Sequence, residues 1–452
     1  MAKKFIIGLD IGTSSIKGTM VASDGSERYT GRVPFTYTTR PDGSVEIPAA
    51  DYLDACFALL RQFGEKLPEG AEIAALSAAS ASGNLLLLDK DGNPAGPIFN
   101  WQDTRVTDEV TRVFGDFDQD AYYLSTGWRF DLQTFPVAIL SWYKCHYPEI
   151  LESCSKVCMS TEYLYWKLTG KWGIGTSAGT PFYLIDQLTG TYNTKVLDTL
   201  GVPVEKLPPV MKTGSVLGGI TEEAAAECGL PAGTPIIIGT FDHPSAARGV
   251  GITKEGQLLL SCGTSWVGFY PINEREKVAG AKMLIDPFLS EIGGPWAGMV
   301  SLASLSAQIE YFTKTYVDNG DTWYRKLVEY SAESCTGAGG LSINLLADPD
   351  DAEIRKYEKK HIARAIMENV INMLAAKMAT IAEAGIVCEE AVMVGGPSEN
   401  PLWAELIAEK TGMRVRVMHG SYAGAVGAAV LAGTAVGLYP DQESACKTLM
   451  ED

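Results

Sequence analysis

The 452-residue sequence has no C-x-x-C pair, only four histidines, and too few basic residues to balance its acids, leaving a formal net charge of −18. Each shortage excludes something. Nine cysteines (Cys56, Cys145, Cys154, Cys158, Cys228, Cys262, Cys335, Cys388, Cys446) form an odd, scattered set in a chain too long to need a disulfide framework, so reduced thiols are expected. Cys154 and Cys158 fit one helix face, but the dispersed histidines do not complete a zinc-ligand spacing. The acidic balance argues against a nucleic-acid partner, whose affinity rests on clustered Lys and Arg. A bound nucleotide is not excluded, because backbone N–H groups and a metal ion can hold phosphates. After Lys3 and Lys4 the apolar run Phe5 to Leu9 is broken at Asp10, short of an export signal or a membrane span. A cytoplasmic protein without a membrane partner is expected. Low-complexity runs, a long linker and the G-x-G-x-x-G dinucleotide fingerprint are also missing.

What is present reads as α/β. Apolar residues make up 46% and charged residues 20%, with 47 glycines, and the length exceeds what one core usually supports, so two domains of roughly 200 residues are expected. Strands are predicted over Phe5 to Asp10, Ile16 to Ala22 and Arg28 to Tyr37, and again over Gln257 to Cys262 and Trp266 to Tyr270. Gly12-Thr13-Ser14 separates the first pair, and Gly263-Thr264-Ser265 the last. EIAALSAASASGN (Glu72 to Asn84) and EEAVMVGGPSEN (Glu389 to Asn400) echo each other, each an apolar strand before small residues ending in Asn. The two echoes predict a duplicated domain, the second copy opening at LPAGTPIIIGTFD (Leu230 to Asp242). Helices are expected over Ala49 to Phe63 and Ile362 to Ala384, where Ala363, Ile366, Val370, Met373, Leu374, Met378 and Ile381 recur at helical spacing as a core stripe.

In GLDIGTSSIKG (Gly8 to Gly18), Asp10 ends a strand and Gly12-Thr13 turns the backbone with N–H groups outward, an arrangement suited to phosphate oxygens. Asp10 would then reach a magnesium ion on those phosphates. A plain tight hairpin accounts for the same residues. LSCGTSW (Leu260 to Trp266) repeats the Gly-Thr-Ser core, and in MVGGPSENPLW (Met393 to Trp403) Gly395 and Gly396 leave room for a flat adenine before a helix beginning near Ser398, with Pro401 in its first turn.

These segments resemble the FGGY carbohydrate kinases, within the superfamily of actin, heat-shock chaperones and hexokinase. The likeness extends through LLLLDKDGNPAGPIFNWQDTR, YLYWKLTG, TSAGT and GTPIIIGTFDHPSAARGVG (Gly233 to Gly251). It implies an α/β fold of two duplicated actin-like, ribonuclease H-like domains with a catalytic cleft between them that closes on the substrate. The expected limits are a sugar-binding domain over 1–235 and a nucleotide-binding domain over 236–452. It implies transfer of the γ-phosphoryl group of ATP, with Mg²⁺, to a hydroxyl of a sugar or polyol, a pentulose-like ketose first. Asp242 falls on the catalytic base and, with Asp10, on the metal site; a strand-ending Asp that caps a turn is its structural alternative. Gly12, Thr13, Ser14, Lys17, Gly263, Thr264, Gly395, Gly396 and Asn400 fall on nucleotide-binding segments. Trp101, Asp103 and Arg105 match the family's W-x-D-x-R segment and are expected, with Ser82 and His243, at the substrate. Asp103 and Arg105 alternatively form an ion pair, and Trp101 and His243 alternatively pack. Many pentulose kinases of the family carry Met-His where Ser82 and Gly83 stand here, so the sugar is left open, as is a homodimer. The competing class is an ATP-driven assembly or binding protein of the same superfamily.

Overall fold

The computed structural model describes residues 2–81, 83–129, 134–263, 266–302 and 305–450. It separates into two compact units. The first runs to Thr253, takes up Leu284–Gly294 and resumes at Tyr422; the second holds Lys254–Met283 and Pro295–Ser421.

The first unit is built on a sheet in the order Val216–Gly219, Pro235–Ile237, Glu72–Ser80, Lys4–Ile11, Ser15–Ala22, Arg28–Pro34. Lys4–Ile11 runs parallel to Glu72–Ser80, which runs parallel to Pro235–Ile237, while the hairpin strands on the other side are antiparallel. In the second unit Trp296–Leu302, Trp266–Ile272, Gln257–Cys262, Glu390–Gly395 and Arg414–Val417 stand side by side, with the same change from antiparallel to parallel pairing at the third strand. The duplication read from the two echoes is therefore a duplication of topology, and Glu72–Ser80 and Glu390–Gly395 hold equivalent places. The expected opening of the second copy is displaced: Pro235–Ile237 pairs with Glu72–Ser80 and closes the first sheet. The second pattern starts only at Gln257. A division at 235/236 would cut that sheet, whereas the compact units part at 253/254.

Alternation along Lys4–Ile11 sets the layers. Phe5, Ile7, Leu9 and Ile11 enter the core shared with Leu59, Leu60 and Phe63 of the helix Ala49–Lys66. Ile6 points to the other face, against Val426, Ala429 and Val430 of the helix Ala423–Ala435. By the period of two, Gly8 and Asp10 share the face of Ile6. A Cβ on Gly8 would overlap the Ala425 carbonyl oxygen, so this helix lies directly on the strand because the strand offers it glycine. In the second unit the helix Lys359–Glu383 buries Ala363, Ile366, Val370, Leu374 and Ile381 as expected, while Met373 and Met378 are half-buried. Among the described residues no helix is long and apolar enough to cross a membrane.

Candidate active site

The three parallel strands of the first sheet end on one side, the side where open α/β sheets place their chemistry. Asp10 is the penultimate residue of Lys4–Ile11 and pairs across the hairpin with Lys17. Past Pro235–Ile237 the chain continues the sheet through one parallel bridge, Ser80 to Phe241, and then starts the helix Asp242–Gly249. Asp242 is thus the first residue of a helix and not the end of a strand. A carboxylate there is favoured by the unpaired N–H groups and the dipole of the first turn. The helix is held at its far end by Arg248, buried at 1% exposure, which donates to Gln442 Oε1 and to the carbonyls of Pro244 and Phe288.

Asp242 and His243 form a tight local unit. Oδ1 of Asp242 accepts from the His243 backbone N–H at 2.8 Å and lies 2.7 Å from His243 Nδ1. The two side chains keep 36% and 26% of their exposure. Burial opposes a charge on His243, but the charge and hydrogen bond of Asp242, with Asp10 behind them, outweigh it and raise its pKa above the ordinary value. Asp10 is pushed up to about 6, first by burial and then by the charge of Asp242, against the pull of Lys17 and His243. Asp10, Lys17, Asp242 and His243 therefore share one electrostatic neighbourhood. Room for Asp10 comes from Gly424, where a Cβ would sit 2.6 Å from the Asp10 carboxyl carbon.

Two carboxylates that repel each other, one of them two residues before the Gly12 turn, are a donor set that fits Mg²⁺. This ion takes one or two carboxylates and fills its remaining positions with water and phosphate oxygens. Among the described residues no cluster of three or more His, Cys, Asp or Glu offers a fuller cage. The turn itself is closed by Gly12 N–H to Ser15 O at 2.9 Å, and Ser14 is exposed at its tip. Trp101 donates from Nε1 to Thr13 Oγ1 at 3.2 Å, which ties the expected sugar-facing indole to the turn expected to hold phosphate.

Asp103 and Arg105 form the ion pair that is the alternative reading of their motif. Asp103 is fully buried; Oδ2 accepts from Val45 N–H, and Oδ1 accepts from the backbone N–H and Nε of Arg105. Arg105 also pairs with Glu46 at 2.7 Å and lies over the rings of Phe99 and Trp142. The two residues are joined to each other and, through Arg105, to Glu46, and both Asp103 oxygens already accept hydrogen bonds. Gly83 explains the missing Met-His side chains in part: its φ is +81° and a Cβ would overlap the Phe135 ring. Ser82 and Thr264 lie outside the described residues.

In the second unit a cavity of about 270 Å³ is lined by Gly263, Ser306, Ile309, Trp323, Tyr324 and Gly396, among others. Its walls are flat and largely apolar, with the Ser306 hydroxyl bonded to the Gly263 carbonyl at 2.6 Å. Gly396 lines it with open space where a Cβ would stand. Gly395 serves the backbone instead: at φ +102° it lies so close to Cys262 across the parallel pair that a Cβ would overlap the Cys262 carbonyl. Asn400 is spent as a helix cap, accepting from Leu402 N–H at 2.9 Å before the helix Pro401–Thr411. A short 3₁₀ turn, Gly396–Glu399, precedes it, so the helix begins at Pro401 and not near Ser398. Trp323, Tyr324, Ser306 and Ile309 were not singled out from sequence; the adjacent aromatics Trp323-Tyr324 were the available signal.

Comparison with known proteins gives this arrangement relatives. The model of the FGGY family of carbohydrate kinases, N-terminal domain, matches residues 5–249, and that of the C-terminal domain matches residues 348–436. An autoinducer-2 kinase of Yersinia enterocolitica is 28% identical over 477 residues, spanning 96% of this chain and 87% of that protein. The crystal structure of a ligand-bound xylulose kinase from Lactobacillus acidophilus superposes with a TM-score of 0.88 at 20% identity, covering 99% of this chain and 93% of the other. That of Plasmodium falciparum glycerol kinase with ADP gives 0.87 at 17% identity, covering 100% and 93%.

Proposed function

The chain belongs to the FGGY family of carbohydrate kinases, and from that premise we propose that it transfers the γ-phosphoryl group of ATP to a hydroxyl of a small sugar or polyol, with Asp242 as general base. The observation that carries this reading is the neighbourhood of Asp10 at the end of its strand and Asp242 at the start of its helix, Asp242 half-exposed and Asp10 raised to about 6 by burial and by the charge of Asp242. Asp242 takes the acceptor hydroxyl proton; the hydroxyl oxygen bonds to the γ-phosphorus, and the bond from that phosphorus to the β,γ-bridging oxygen breaks, releasing ADP. Asp10 and Asp242 are the residues that would hold Mg²⁺, which supplies charge neutralisation to the phosphates. Gly12 closes the turn, Thr13 and Ser14 would present N–H groups to phosphate oxygens, and Lys17 would present its ammonium. The flat cavity beside Gly263 and Gly396 is suited to adenine.

For the acceptor we infer a short ketose of the pentulose type or a related carbonyl compound, with polyols next. The autoinducer-2 kinase relative favours a small hydroxylated acceptor, while Gly83 and Phe135 leave no imidazole where many pentulose kinases carry one. Free cysteines and ATP as donor suit the cytoplasm. ADP release measured over pentuloses, hexuloses, aldoses, polyols and autoinducer-2 tests the reading. Acceptor-dependent release is expected with at least one class, and release that ignores every acceptor overturns it.

A further inference from the structure

Resting on that reading, we propose that His243 is a positioning residue for the base: its Nδ1–H and its backbone N–H together hold Oδ1 of Asp242, so that Oδ2 alone receives the acceptor proton. Both donors lie within 2.8 Å of the same oxygen. An ionised carboxylate only accepts, so the ring nitrogen facing it carries the hydrogen. The imidazole is in turn placed by Phe241, whose buried ring lies 6.2 Å from it and packs edge-on against Trp128. Phe241 is fixed by its bridge to Ser80 at the end of the sheet. The chain of contacts runs from sheet to Phe241, to His243, to Oδ1.

The need for such a clamp follows from exposure. With 36% of its surface open, the Asp242 carboxylate would otherwise rotate between orientations, and a base that spends most of its time misdirected loses rate without losing substrate affinity. Two donors on one oxygen remove that freedom and distinguish the oxygens. Oδ1, already accepting twice, is the poorer proton acceptor; Oδ2 keeps its lone pairs for the acceptor hydroxyl.

The test is a set of three substitutions at one position. Asn places its Nδ2 where the histidine Nδ1 stands, Gln reaches farther, and Ala removes the donor. His243→Ala is expected to lower kcat roughly 10- to 100-fold with the acceptor KM little changed, and His243→Asn to recover most of the loss while His243→Gln does not. A kcat for His243→Ala within about threefold of wild type overturns the proposal. Equal recovery by Asn and Gln, or a loss that appears in the acceptor KM, overturns it too, since His243 would then touch the substrate. A second measurement is independent of turnover. In ¹⁵N-histidine spectra the His243 Nδ1 must carry a slowly exchanging proton that is lost in Asp242→Ala, and an unprotonated Nδ1 refutes the clamp even in a protein that phosphorylates nothing. Absence of acceptor-dependent ADP release with the Nδ1 proton present instead removes the kinase reading and leaves the clamp standing.

Discussion

The two copies of the hairpin carry the same Gly-Thr-Ser sequence between strands whose end residues differ. Counting back from the turn, Asp10 in the first copy corresponds to Ser261 in the second, and the cross-strand pair Asp10 and Lys17 to the pair Ser261 and Val267. The parallel neighbour differs likewise: Ile11 lies beside Ser80, whereas Cys262 lies beside Gly395. One copy has put charge at the end of its sheet, and the other has put space there. The lesson is that a duplicated scaffold supplies equivalent strand ends, and the residue type at those ends decides whether they carry charge or leave space.

The largest break in this comparison is expected from removing the charge proposed as the base. Asp242→Asn is nearly isosteric but cannot take a proton, so turnover is expected to fall ~10²- to 10⁴-fold. ADP affinity, read by calorimetry, should stay within a few-fold of wild type, since the cavity lined by Gly263 and Gly396 belongs to the other copy. Turnover within about threefold of wild type would move the base away from the first copy.

Asp10→Asn sharpens the comparison by making the first copy resemble the uncharged second. The folded pKa of Asp10 is raised to about 6, so its ionisation costs folding stability above that pH, and the cost fades as pH falls through about 6 toward the ordinary carboxylate value of 3.8. Without Mg²⁺ at pH 7.5, Asp10→Asn should therefore be more stable than wild type, by up to about 2–3 kcal/mol, and the gap should narrow by pH 5. Added Mg²⁺ should raise the melting temperature of wild type and leave the variant unmoved. A variant less stable than wild type at pH 7.5 would mean that the pairing with Lys17 outweighs burial and Asp242.

Much of this division was legible in the sequence because it is local. The paired turns bounded the strands to within a few residues, and Gln257–Cys262 lay where the apolar run placed it. Asp10, Asp242 and His243 stood out through their motifs. The pairing of Asp103 with Arg105 was legible as an alternative, but its wider partners were not: Glu46 and the Val45 N–H that engage them lie far back in the chain and are brought near only by the fold. The helix Ala423–Ala435 gave no sign of its place either. It is almost all Ala, Gly and Val, with no polar face to reveal orientation, and its seat on Lys4–Ile11 and on Asp242–Gly249 shows in glycines on both sides of the contact: a Cβ on Gly249 would overlap the Ala423 carbonyl, and one on the helix's own Gly427 the Ser245 carbonyl. Asn400 is the reverse case, since Asn before Pro is a local capping signal that suffices to explain it.

The smallest effect is expected from filling the space in the second copy. Nothing lies within 4 Å of a Cβ at Gly396, and its φ is not left-handed, so Gly396→Val adds an isopropyl group to the cavity without straining the backbone. Crowding of a fitted pocket by groups of this size is worth on the order of tenfold in binding. The KM for ATP should rise by about that factor, while kcat at saturating ATP and the acceptor KM hold, because neither the base nor its clamp is touched. Gly395→Ala is the control. Its Cβ would meet the Cys262 carbonyl at a left-handed φ of +102°, so it should lower the melting temperature without a selective change in the KM for ATP. Nucleotide kinetics unchanged in a well-folded Gly396→Val protein would place adenine elsewhere and end the assignment of space to the second copy. A selective rise in the KM for ATP would separate two adjacent glycines by role, one holding strands together and the other holding a volume open.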